Sequence, residues 1–278
     1  MNGSTVSDVL VHVGATELAR ARVRLAVGFA THFASRLTGL HVTPSADVPH
    51  RYKPGEVGQL QMKLAVRLAD ETKVSARIFH NESKGQSITS QWRECAGDVA
   101  EQICIHARYA DLVVVGQDEI QEPIERHPLP VANAVVLGCG RPVLVVPQGV
   151  GSLEFGKVVI AWDGSREAVR AVHDALPMLK LAHSVEILSI VPAPDSTGET
   201  DTKDLAAHLA NHGIRVALQI LKAKSSSDHS HLRDHIAHAG CDLVVMGAYS
   251  HPSWFEFVFG GATQSILSTA AIPVLVSH

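Results

Sequence analysis

The sequence predicts an α/β protein of two tandem domains, each a five-stranded parallel sheet with helices on both faces. Three observations carry this. The chain repeats itself: Ala110-Asp111-Leu112-Val113-Val114-Val115-Gly116 is matched in kind by Cys241-Asp242-Leu243-Val244-Val245-Met246-Gly247. The following run Arg141-Pro142-Val143-Leu144-Val145-Val146 is matched by Ile272-Pro273-Val274-Leu275-Val276, and both offsets are 131 (242 − 111 and 273 − 142). Within each half, short continuous apolar runs alternate with stretches of helical spacing, the pattern of strands buried on both faces by crossover helices. Finally, 278 residues accommodate two domains of ordinary size, and a repeat this long means duplicated domains rather than a solenoid.

The second half states the pattern most clearly. Val158–Trp162 is an apolar run of strand length. Ser165 to Leu181 has helical spacing, with Ala168, Ala171, Val172, Ala175 and Leu179 on one face and Ser165 as N-cap. Val185–Val191 is a strand ended by Pro192 and Pro194; Lys203–His212 is a helix closed by Gly213. Ile214–Leu221 is a strand, and Asp228–Ala239 a helix ending at Gly240. Leu243–Gly247 is a strand followed by a long loop; Gly261–Thr269 opens the last helix and Val274–Val276 is the last strand.

The first half follows the same order. Its strands are read as Val9–Val13, Gly39–Val42, Val74–Phe79, Leu112–Gly116 and Val143–Val146. Its helices are Leu18–Ser35, Leu60–Thr72, Thr89–Arg108 and Val131–Leu137. The starts of the halves, Asp8 to Gly14 and Lys157 to Gly164, match at an offset of about 149–150. The first half is therefore longer, by insertions between Pro44 and Glu101. Gly149, Gly151 and Gly156 mark a linker, which gives domains of 1–148 and 156–278.

Composition excludes other classes. Formal charge is 24 − 28 = −4, against a general nucleic-acid binder, which needs many cations. No apolar run reaches the roughly 20 residues that span a bilayer, and Met1 to Asp8 has no signal-peptide pattern. The cysteines Cys95, Cys104, Cys139 and Cys241 form no CxxC pair, so reduced thiols and a cytoplasmic location are expected.

In an open parallel sheet, ligands sit beyond the carboxyl ends of the strands where strand order reverses. In the second half those exits carry Asp163-Gly164-Ser165 and Gly247-Ala248-Tyr249-Ser250, and the loop ends in Gly260-Gly261-Ala262-Thr263 at a helix start. An acid for ribose or base and a glycine-rich helix N-terminus for phosphate fit a nucleotide.

These residues resemble the universal stress protein family in its tandem form, whose domains are Rossmann-like and related to the adenine nucleotide alpha hydrolase fold. The best matches are Val158–Ser165, Asp242–Gly247 and Gly260–Val276. The nucleotide-binding branch carries G-x-x-G-x9-G-[ST] after the fourth strand. Gly247 matches its first glycine and Gly260 its last, while Ser250 stands at the second glycine and Gly261 at the Ser/Thr, with Thr263 nearby to supply a hydroxyl. The resemblance implies ATP, with magnesium, as ligand of the second domain. Asp163, Gly164 and Ser165 would meet the nucleoside, Val191 would line the adenine pocket, and Met246 would end the strand leading to Gly247. Gly247 to Thr263 holds no Lys or Arg, only His251, so the phosphates need cations from elsewhere.

The first half departs from the pattern. Leu129 and Pro130 replace the paired glycines, Val13-Gly14 replaces Asp163-Gly164, and Asp118, Glu119, Glu122 and Glu125 crowd the loop, so a degenerate, structural domain is expected. The resemblance also implies that the final strands of the two halves pair, an intramolecular pseudo-dimer that covers two sheet edges. A further homodimer and a protein partner are compatible with it. The expected function is stress response or signalling with ATP bound in the second domain. The alternative is a nucleotide-free interaction module acting through its dimer surface. A weaker third reading, an adenylate-handling enzyme, lacks an adenylation signature. No catalytic residue is assigned, since no general base and no strong cation cluster is identifiable; at most weak ATPase activity is expected.

Two other clusters have plain readings. His231, His235 and His238 lie at i, i+4, i+7, a spacing that suits a metal, but Leu232, Ile236 and Ala239 carry the apolar stripe one position along, which places the histidines at its margin. Trp254, Phe255, Phe257 and Phe259 form an aromatic patch that packs on the sheet, walls a ligand pocket or presents a partner surface. Trp92 is read in a loop or helix.

Overall fold

The computed structural model describes residues 6–44, 54–117, 130–192, 197–223, 230–248 and 262–278. The first half runs β1 (Asp8–His12), α1 (Glu17–Phe33), β2 (Arg36–Thr43), α2 (Pro54–Ser83), β3 (Ser90–Ala96), α3 (Val99–Ala107), β4 (Leu112–Gly116), α4 (Val131–Gly138) and β5 (Val143–Val146). The second runs β6 (Lys157–Trp162), α5 (Arg166–Leu179), β7 (Ser184–Pro192), α6 (Thr197–Asn211), β8 (Val216–Ala223), α7 (Ser230–His238), β9 (Leu243–Gly247), α8 (Ala262–Thr269) and β10 (Val274–Ser277).

All ten strands form one sheet in the order β3-β2-β1-β4-β5-β10-β9-β6-β7-β8. Every pair is parallel except β5 with β10, where Val145 faces Val274 and Val143 faces Val276. Each half thus contributes a parallel sheet whose strand order reverses between its first and fourth strands. Alternate strand residues point to opposite faces. Val9 and Val11 join a core with α1, α2, α5 and α6; Leu10 joins a core with α3, α4, α7 and α8. Both cores run unbroken across the β5–β10 junction, through Leu144 and Leu275 on one face and Val145 and Val274 on the other.

The repeated Asp-Leu-Val-Val has a structural cause. Asp111 accepts from the amides of Ser7 and Asp8 at 2.8 and 3.0 Å, and Asp242 accepts from the amide of Lys157 at 2.8 Å. In each half this carboxylate ties the start of the first strand to the start of the fourth. The linker is docked on the first half: Phe155 packs on Phe29 and Phe33 with ring centroids 6.5 and 6.1 Å apart.

The first half differs from its predicted pattern in one place. Val74–Phe79 is helical, part of α2, and the third strand is Ser90–Ala96, inside the segment read as a helix from Thr89 to Arg108. Ser75, Ile78 and Phe79 are buried at helical spacing, whereas β3 is a sheet edge with no fully buried residue and so no apolar run to announce it. Trp92 accordingly lies in a strand. The extra length of the first half resides partly in α2, 30 residues against 15 in α6. Strand β8 begins two residues later than read, because Ile214 closes α6 with its amide on Leu209 O at 3.0 Å.

Candidate functional site

The site is built at the exits of β6 and β9, which pair directly. Strand β6 ends at Trp162, and Asp163-Gly164-Ser165 turn the chain into α5. The turn needs glycine: Gly164 has φ +72°, the left-handed region that side chains disfavour. Ser165 caps α5, its Oγ accepting from the Ala168 amide at 3.1 Å. Asp163 closes the turn, its Oδ1 accepting from the Ser165 amide at 3.0 Å and from the Ser165 hydroxyl at 2.6 Å.

Across the crevice, Gly247 lies against the first turn of α5. A Cβ there would stand 2.4 Å from the Ala168 nitrogen and 2.7 Å from the Glu167 carbonyl carbon. The next residue, Ala248, donates its amide to Ser277 O at 2.9 Å, so the ends of β9 and β10 are fixed together. Asp163, Gly164, Ser165 and Gly247 therefore converge on one strand-exit crevice. Val191 is buried at the end of β7, the strand beside β6, and packs on Gly198 of α6. Met246 is buried within the sheet between Ala161 and Val276, beneath the site rather than lining it. Ala262 and Thr263 open α8. Ser250, Gly260 and Gly261, together with Tyr249, His251 and the Trp254–Phe259 patch, lie outside the described residues.

Four residues at the crevices escaped the sequence reading. Trp162 donates its indole N–H to Asp201 of α6 at 2.6 Å, and that carboxylate borders Gly164, where a Cβ would meet it at 2.8 Å. Asp201 thus forms a second acidic lip beside Asp163. Arg166 extends into solvent from the first helical turn and pairs with the buried Glu167. Burial alone would raise the Glu167 carboxyl, but bonds from Arg166 and from its own amide, with His278 nearby, hold it below the ordinary range. The only signal of Arg166 in the sequence was its place two residues after Gly164.

The fourth is Arg22, in the first half. Counted from the caps Thr16 and Ser165, it corresponds to Ala171. The residue is only 6% exposed; its guanidinium donates from Nε to His12 O at 2.9 Å and fills the exit of β4 against Gly116, where a Cβ would stand 1.8 Å from Nη1. Beside it, His41 Nδ1 meets Val13 O at 3.0 Å. Burial, then the Arg22 charge and His41, push the His12 imidazole down to about 3, so it stays neutral. The residues Asp118 to Leu129 lie outside the described residues.

Two histidines of α7, His235 and His238, have partners of their own. His235 Nε2 bonds Glu186, which also pairs with Lys157 Nζ at 2.9 Å, and His238 bonds its own helix at Asp234 O. Leu232 and Ile236 are buried beside them. The His231 side chain lies outside the described residues. Among the described residues no group of three or more His, Cys, Asp or Glu is placed to hold a metal ion. All four cysteines are free thiols, and burial raises each of them. Among the described residues no helix is long and apolar enough to cross a membrane.

A sheet of this order, reversing between the first and fourth strands of each half, is that of two Rossmann-like domains in tandem. A family model described as the universal stress protein family matches residues 6–147 and again 154–278; the chain belongs to that family, with two such domains in tandem. Among solved structures it resembles a universal stress protein from Archaeoglobus fulgidus, at 18% identity and TM-score 0.72, covering 98% of this chain and 96% of that one. It also resembles a functionally unknown protein from Pseudomonas aeruginosa, at 15% identity and TM-score 0.59, covering 98% and 92%. At these identities the likeness is one of fold. No curated protein sequence gives a match.

Proposed function

We propose that the second domain binds an adenine nucleotide, ATP being the leading ligand, and that the chain serves stress response or signalling rather than efficient catalysis. The observation that carries this reading is the contrast between the halves. Arg22 fills the exit of β4 against Gly116, while the residue at the matching position of the second half is Ala171, whose methyl group carries no such guanidinium. In this reading Asp163 and Asp201 accept from ribose hydroxyls or the base, Val191 backs the base, and Arg166 swings from Glu167 toward the phosphates. Magnesium would arrive with a triphosphate, bound to its oxygens.

A second reading has its own observation. Asp163 already bonds Ser165, and the Glu167 carboxylate already sits at the N-terminus of α5, so both the acceptor and the helix end have internal partners. That favours a nucleotide-free module that binds a protein partner or a second copy of the chain.

Thermal unfolding with adenine nucleotides and magnesium separates the two. A ligand at 100 times its dissociation constant stabilises the folded state by about 2.7 kcal/mol, which raises Tm by roughly 5–10 °C in domains of this size. The shift should vanish in Asp163→Ala, survive in part in Asp163→Asn, and persist in Arg22→Met. No shift with ATP, ADP or AMP at millimolar concentration refutes nucleotide binding and leaves the interaction module.

A further inference from the structure

The two helix pairs that cover one face of the sheet are not built alike. In the first half α1 and α2 pack closely along each other, whereas their counterparts α5 and α6 make little direct backbone approach. Between them lies a hollow of about 230 Å³ walled by Trp162, Val169, Val172 and Leu205, with His173, His208, Asp201 and Asp204 around it. Three imidazoles bridge this gap. The His173 ring, on α5, lies 5.3 Å from that of His208, on α6, and His208 lies 4.8 Å from His212 one turn further along. His173 Nδ1 is bonded to Val169 O at 2.8 Å, while His208 Nε2 is buried with no hydrogen-bond partner.

We propose that this trio is an acid-sensitive latch: neutral imidazoles hold α6 against α5, and their protonation drives the helices apart and releases the Asp201–Trp162 lip of the crevice. The charges around it decide the sign. A proton on His208 Nε2 would be buried without an acceptor, beside a second and third imidazole able to charge. Lys180, at the end of α5, adds a further positive charge near His212. Asp204 lies one turn before His208 and lines the hollow, but Asp201 is engaged by the Trp162 indole, and Glu199 at the start of α6 is paired with Lys222 at 3.5 Å. Among the described residues Asp204 lines the hollow, and Asp174, which feels the His173 charge from α5, accepts from the Ser277 hydroxyl at 2.8 Å; these two carboxylates face up to three imidazolium groups and an ammonium. The His212 imidazole is already lowered by desolvation and by His208, Lys180 and His173. Asp201 and His208 lie two turns apart on one rigid helix, so a displacement at the imidazoles is carried to the carboxylate that borders Gly164.

This latch needs no ligand, so its test is independent of the nucleotide reading. The experiment is hydrogen exchange by mass spectrometry on the ligand-free full chain at pH 7.5 and 5.5, corrected for intrinsic exchange rates. Amides of α6 should exchange at least about tenfold faster at pH 5.5, with α1 and α2 changing much less. In His208→Gln/His212→Gln the acid response of α6 should fall below about twofold, and His212→Gln, one turn beyond the residues that line the hollow, should reduce it even if the double variant folds poorly. Trp162 emission should report the released indole over the same pH range. An α6 response to acid that is absent in the wild-type chain, or undiminished in both variants, overturns the latch.

Discussion

Glycines 116 and 247 occupy equivalent places at the ends of β4 and β9, yet the same substitution should act through different mechanisms. At Gly247, an added Cβ would meet three backbone atoms: Ala168 N at 2.4 Å, Glu167 C at 2.7 Å and Ala168 Cα at 3.0 Å. Ordinary contact begins near 3.4 Å, so β9 or the first turn of α5 must move by about 1 Å. Neither is free to do so. The turn is pinned by its Ser165 cap, and β9 is held in register with β10, Gly247 opposite Ser277. Overpacking typically costs about 1–3 kcal/mol, and disturbing a serine cap adds about 1 kcal/mol; we expect Gly247→Ala to cost roughly 2–4 kcal/mol. With about 2–4 °C of Tm per kcal/mol, the melting temperature should drop by roughly 4–16 °C. At Gly116 the nearest atoms all belong to the Arg22 side chain, the closest at 1.8 Å. A flexible guanidinium can swing aside, giving up its bond to His12 O, so Gly116→Ala should cost only about 1–2 kcal/mol. Urea denaturation followed by circular dichroism, alongside calorimetry, measures both. A Gly247→Ala protein within about 0.5 kcal/mol of wild type, or a Gly116→Ala protein that is the less stable of the two, would refute the geometry argued here.

Three further outcomes follow from the same contacts. Arg22→Met should cost about 2 kcal/mol by leaving His12 O without its donor, and should raise the His12 imidazole from its value of about 3, read by NMR titration. Because that imidazole is lowered on folding, the unfolded chain takes the proton first; stability should fall as pH drops from about 6.5 toward 3, and Arg22→Met should narrow that window. Ala34 caps α1 at φ +53°, a conformation that glycine adopts without strain, so Ala34→Gly should stabilise the protein by about 0.5–1 kcal/mol in denaturant titrations. Burial would raise the Glu186 carboxyl, but bonds from Lys157 and His235 outweigh that and hold it below its usual range. Its contribution is present above the ordinary carboxylate pKa and lost as pH falls through the lowered one. Glu186→Gln should therefore cost about 1–2 kcal/mol at pH 7, with the gap from wild type closing in denaturation run well below pH 4.5.

What was legible depended on burial. Strands covered on both faces, such as Leu112–Gly116 and Leu243–Gly247, must be apolar throughout and so stand out. Strand β3 carries half-exposed Trp92, Arg93 and Cys95 at the sheet edge and offered no such run, while the apolar residues near Val74–Phe79 belong to a helix face. Asp163 could be picked out because it directly follows the apolar run Val158–Trp162, at a strand exit where a ligand would sit. Arg22 could not, since an arginine in a helix next to Ala19 and Val23 reads as a surface residue until Gly116 is found beside it. Asp201 was hidden for the same reason: nothing within α6 points to the indole 39 residues earlier that it holds.

From the amino-acid order alone came the duplication, the alternation of strand and helix in each half, and the acid and glycines at the later crevice, because hydrophobic period and turn chemistry act over a few neighbouring residues. Only the folded chain decided the antiparallel register in which β5 and β10 join, that Arg22 fills the exit of β4 where α5 carries Ala171, and that three imidazoles meet beside the gap between α5 and α6. Those outcomes rest on distances of a few ångströms between residues far apart in the chain, which no local run of sequence encodes.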